Sequence, residues 1–93
     1  MDKQTMLASL KIDLGITTTA FDDKLQEYLT MAADAIAREG IDLDPTSLSD
    51  GTLQVMYAGW MWRKRDTGDG MPRMLRYQLN NRLFSQKISE GSE

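Results

Sequence analysis

The stretch Leu53–Arg65, LQVMYAGWMWRKR, limits what this chain can fold into more than any other. Read as a helix, it places Leu53, Met56, Tyr57, Trp60 and Met61 on one broad face. Val55, Ala58, Gly59 and Trp62 fall on the other. A helix that is apolar all round has to be covered on both sides. Trp60 and Trp62, two positions apart, point in nearly opposite directions. The stretch closes on three cations, Arg63, Lys64 and Arg65, which complement the dipole of a helix C-terminus. In a chain of 93 residues the question is how much of this cover the chain supplies itself.

The flanking segments read as three further helices. Residues 3–14 carry a stripe of Met6, Leu7, Leu10 and Leu14, with Gly15 as a stop signal. Ile16 to Ala20 contains three successive threonines and reads as a loop. The second helix is expected over 22–39, with Asp22 or Asp23 as its cap. Its apolar face is Phe21, Leu25, Tyr28, Leu29, Ala32 and Ile36, and its wet face Asp23, Glu27, Thr30, Asp34 and Arg38. Gly40 stands where a left-handed cap belongs. Residues 40–50 form a connection in which Ile41 and Leu43 fold back over the second helix. Pro45 blocks helix continuation there, and Ser49 or Asp50 caps the third helix. Residues 66–71, DTGDGM, read as a tight linker. Pro72 suits the first turn of a fourth helix that runs to about Phe84. Leu75, Leu79 and Leu83 make its core stripe, Met74, Tyr77 and Phe84 project from a different side, and Arg73, Arg76 and Asn80 share a polar strip.

No stretch alternates as a strand does, so the expected class is all-α: a small bundle of three to four helices. The helical domain is expected over residues 1–85, followed by a flexible C-terminal tail over 86–93. Leu25, Leu29, Ile36, Leu53, Tyr57, Trp60, Leu75 and Leu79 are the predicted core.

Composition removes several functions. The chain has no cysteine and no histidine. That excludes disulfides, Cys or His metal sites and Ser-His-Asp triads. The longest apolar run, Val55 to Trp62, is far short of the roughly 20 residues of a membrane span, so a soluble protein with no membrane partner is expected. The opening MDKQT is polar, unlike a signal peptide. Asp42 and Asp44 in IDLDP lack the ligand framework of a calcium loop, and Asp66 and Asp69 read as turn residues. The glycines of TGDG follow a helix rather than a strand, which is the wrong context for a P-loop. No pair of groups suggests acid–base work. The reading is of no enzyme, no catalytic residue, no metal and no cofactor.

What remains is charge and apolar surplus. Residues 1–50 hold ten acids and four bases, and residues 51–93 four acids and seven bases, giving −6 and +3. The basic group interleaves with Trp62, Tyr77 and Phe84, a pattern that can serve phosphate backbones and bases. A small DNA-binding protein using the basic second half is therefore one reading. The other is a contact between subunits, because large aromatic and Met side chains are enriched at interfaces. Trp62, Arg63, Lys64, Arg65, Arg73 and Arg76 are the predicted contact residues.

Three segments resemble the head-tail connector proteins of tailed phages, also called adaptor or head-completion proteins and often found in prophages. They are LKIDLGI followed by DDKLQEYLTMAADAI, then LQVMYAGWMWRKR, then MPRMLRYQLNNRLFSQK. The resemblance covers roughly residues 6–87 and implies no catalytic residues. It implies a helical subunit that forms a homo-oligomeric ring, commonly of about a dozen copies. Its implied partners are the portal protein, a downstream neck or tail-completion protein, and DNA passing non-specifically through the channel. The implied place is the virion neck, with the host cytoplasm during assembly.

Overall fold

Asp2 starts the first helix by accepting a 2.7 Å hydrogen bond from the Thr5 amide onto Oδ1. This is the N-terminal cap that an extended Asp supplies. The computed structural model describes residues 1–91, and α1 (Lys3–Leu14) is the first of its four helices. The others are α2 (Asp22–Arg38), α3 (Leu48–Thr67) and α4 (Arg73–Gly91), and among the described residues there is no strand. The small all-α bundle is as the sequence suggests. α1 ends at Gly15 in a left-handed conformation, as expected, where the Gly15 and Ile16 amides return to the carbonyls of Ile12 and Lys11. Asp22 and Asp23 lie in the first turn of α2 without capping it. There Asp22 pairs at 2.8 Å with Lys11 of α1.

α3 is longer at both ends than the apolar stretch. Its cap is Ser47, whose Oγ accepts from the Asp50 amide at 3.1 Å, and not Ser49 or Asp50. Asp66 and Thr67, expected in the linker, form its last turn, and Gly68 ends it at φ 69°. The reversal there needs a left-handed residue, which glycine adopts without steric cost. α4 runs past Phe84, so residues 86–91, expected in the tail, are helical. The physical reason is Gln86, whose amide group donates to the Gly40 carbonyl at 2.8 Å and accepts from the Asp42 amide at 2.7 Å. Residues 92 and 93 of the expected tail lie outside the described residues.

α3 is covered on both sides from within the chain. Leu53 and Tyr57 on one face, and Val55 and Ala58 on the other, are all buried. Leu10 of α1, Leu25, Leu29, Ala32 and Ile36 of α2, and Leu75 and Leu79 of α4 complete the core. Ile41 closes one end of it, with Leu43 packed alongside, as the fold-back predicts. Trp60 is the exception among the predicted core residues. It packs against the core but is only half-buried, because its indole has to reach the 68–72 turn, where Nε1 donates to the Gly70 carbonyl at 3.2 Å. Gly51 permits a close approach at the other end of α3: a Cβ there would lie 2.6 Å from Cβ of Met1. The Met1 ammonium in turn donates to the Pro45 carbonyl at 2.9 Å.

Candidate assembly surfaces

Apart from Lys87, exposed on α4, the cations of the second half divide into two groups. Arg82 and Arg76 are engaged inside the chain. Arg82 places Nε and Nη2 at 2.8 and 3.0 Å from the two carboxylate oxygens of Asp50, a bidentate pair. Asp50 is 4% exposed, the one charged side chain in the core among the described residues. Its Oδ2 also accepts from the Asp44 amide at 2.8 Å. The hydrogen bonds from Arg82 hold its carboxyl below the usual range against the opposing effect of burial. Arg82 further donates to the Asp42 carbonyl at 2.7 Å and to Gln86 at 3.2 Å. The connection over 40–47, the start of α3 and the middle of α4 are thereby clamped together. Arg76 makes a second bidentate pair with Glu39 at 2.7 and 2.9 Å. A contact role for Arg76, predicted from its place on the polar strip, would have to share it with this internal partner.

Arg63, Lys64, Arg65 and Arg73 behave differently. All four are exposed, and none forms an ion pair among the described residues. They flank the 68–72 turn, where Asp66 and Asp69 are also exposed, and Arg63 Nη2 donates to the Asp13 carbonyl at 3.4 Å. Two are held in place by the tryptophans. Lys64 Nζ sits 4.3 Å from the Trp60 ring centroid, and Arg65 Cζ 3.7 Å from that of Trp62. These are cation–π contacts on adjacent turns of α3. They present charge outward while covering the indole faces.

Trp62 was expected to project toward a neighbour. It is instead half-buried and meets Phe21 and Tyr28 of its own chain edge-to-face, with centroids 5.8 and 5.3 Å away. The helical wheel correctly sends it away from Trp60, but the side it reaches is the start of α2.

The apolar surplus lies on α4. Met74, Tyr77, Phe84 and Ile88 are 62%, 64%, 66% and 55% exposed, although Leu75 and Leu79 on the same helix are buried. The wet face of α2, Asp23, Glu27, Thr30, Asp34 and Arg38, is exposed as predicted. Asp42 and Asp44 serve local structure. The Asp44 carboxylate accepts from the Thr46 amide and hydroxyl, which lowers its pKa, and this fixes the turn before α3. Among the described residues no three metal-ligating side chains converge, and no helix is long and apolar enough to cross a membrane.

Sequence reasoning missed the Asp50–Arg82 clamp, since no local pattern links residues so far apart. The Trp60–Lys64 contact was available in principle, because positions four apart are neighbours on a helix. Comparison with protein-family models, with curated proteins and with solved structures gives no match.

Proposed function

We propose that this chain is a structural virion-assembly protein, a head-tail connector subunit that forms a ring beneath a phage portal. In this reading the ring extends the DNA channel at the virion neck and receives the next neck or tail component. The observation that carries it is exposed, unpaired charge of both signs on separate elements of a body with a closed core. The cations Arg63, Lys64, Arg65 and Arg73 flank the 68–72 turn, and the carboxylates Asp23 and Asp34 stand on the outer face of α2. A ring needs two different, complementary patches on each subunit, and these surfaces are of that kind. The resemblance of three segments to connector proteins supplies the portal as partner. Trp62 enters as a brace that positions Arg65, and not as an anchor.

Native mass spectrometry of the chain alone and with a portal protein tests this. A closed ring is expected, lost when Lys64 and Arg65 are both changed to Glu. Restored assembly on mixing that variant with one carrying Asp23→Lys and Asp34→Lys would identify the paired patches. Rings unaffected by either change would overturn the assignment of the patches, and no assembly under any condition would overturn the connector reading. The DNA-binding alternative is less favoured, because Lys64 and Arg65 already cover the indole faces that would stack bases. Steep loss of DNA affinity with salt would support it.

A further inference from the structure

The exposed row on α4 has a regularity that exposure alone does not require. Met74, Tyr77, Asn81, Phe84 and Ile88 follow one another in steps of three and four. At 3.6 residues per turn they fall within about 80° of one another. This is the spacing of a two-helix seam, with residues 74, 81 and 88 at one core position and residues 77 and 84 at the other. The other large exposed apolar side chains, such as Ile12 and Leu48, stand singly on separate elements and need no partner. On α4 the row lies opposite the face that carries Leu75, Leu79 and half-buried Leu83. From Tyr77 to Ile88 the row faces away from the domain, while Met74 at its start borders a cleft lined by Asp13, Met56 and Arg63.

We propose that α4 pairs with α4 of a second copy, in parallel and in register, with the Asn81 side chains facing each other across a two-fold axis. Asn81 selects this occupant. In parallel register it meets its own amide, which can both donate and accept, and a single asparagine in such a seam is a device that specifies register and partner number. Antiparallel packing sets Asn81 against an aromatic residue, leaving the amide buried without a mate. The flanks agree. Arg73, Asn80 and Lys87 run along one edge at sevenfold spacing, and Gln78 and Ser85 along the other. Parallel pairing brings Arg73 beside the partner's Gln78, and Asn80 beside the partner's Ser85, with no repulsion. Antiparallel pairing brings the Arg73 and Lys87 edge against its own copy, cation to cation. The helix is already formed on the body of the domain, so pairing carries no nucleation cost. A seam of two heptads is smaller than the roughly 800 Å² per partner of a standard interface, so the dimer is weak and concentration-dependent. This two-fold contact is distinct from the head-to-tail contacts of a ring and stands or falls independently of the connector reading.

The chain has no cysteine, which makes the test clean. Tyr77→Cys, which keeps Asn81, is expected to form a disulfide-linked dimer under mild oxidation at least about tenfold faster than Ile12→Cys, an exposed control position on α1. Facing core positions of a parallel pair lie within disulfide reach. Adding Phe84→Asp to Tyr77→Cys is expected to remove the difference while leaving the helical circular dichroism unchanged, since Phe84 is exposed. Equal rates at positions 77 and 12 would overturn the proposal. So would preferential cross-linking in a mixture of Met74→Cys and Ile88→Cys, which reports antiparallel packing.

Discussion

Replacing Arg82 with Leu isolates the contribution of the clamp. The variant keeps the apolar stem and removes the guanidinium, leaving Asp50 buried with one amide partner, that of Asp44. Breaking a buried pair from one side costs about 3–5 kcal/mol. The side chain of Arg82 is 25% exposed and that of Asp50 only 6%, and the Asp44 amide still serves Asp50, so the lower end, about 3 kcal/mol, is expected. A domain of this size has a total stability of about 5–14 kcal/mol, so Tm should fall by roughly 12–24 °C. The pH dependence gives a sharper check. In the wild type Arg82 lowers the pKa of Asp50. A carboxylate lowered on folding adds stability that is complete above its unfolded pKa of about 3.9 and is lost as pH falls through its folded value. Without Arg82, burial becomes the dominant influence and pushes the pKa of Asp50 upward. The variant then protonates Asp50 at a higher pH than the wild type, and its penalty shrinks on acidification. Urea unfolding followed by helical circular dichroism at pH 7 and pH 4.5 measures both. A loss below about 1 kcal/mol at pH 7, or one that does not diminish at pH 4.5, would refute this account. Changing both Asp50 and Arg82 to Leu should recover much of the loss, since no charge is then left unpaired.

Two contrasting substitutions complete the set. Arg76→Ala, which breaks the similarly bidentate but more exposed pair with Glu39, should cost less than about 1 kcal/mol in the same unfolding assay and weaken further in effect with salt. Trp62→Ala removes two edge-to-face ring contacts and the support of Arg65. It should cost about 2–4 kcal/mol, seen as a lower urea midpoint, while α1–α4 remain helical before the transition.

How far the fold was legible depends on how local its causes are. α2 is readable because its apolar and polar residues separate cleanly by angle, and every apolar position from Leu25 to Ile36 on that face is at least partly buried. The start of α3 was misplaced because Ser47, Ser49 and Asp50 all suit a cap and nothing local chooses between them. That Asp50 is inside and paired is decided by Arg82 on another helix. The end of α4 was read as a tail because SQKISE is polar, whereas its helix is held by Gln86 reaching back to Gly40 and Asp42. For the candidate surfaces, the cationic cluster was plain, but its division was not. Arg76 and Arg82 look like Arg63 and Arg73 in sequence, but the fold half-buries them with Glu39 and Asp50 within reach.

The corner at residues 40–50 receives Met1 and the second half of α4. Met1 reaches Pro45, while Arg82 and Gln86 reach Asp50, Asp42 and Gly40. Each of these bonds spans 32 to 46 residues. Closing such long loops has an entropic cost that only the assembled contacts repay. α1 and α2 both pack directly on α3, while α4 adds Leu75 and Leu79 to the core and is further secured through this corner. During synthesis the corner therefore waits, half-built, until Arg82 and Gln86 have emerged, and the last helix to appear acts as the bolt that shuts the domain.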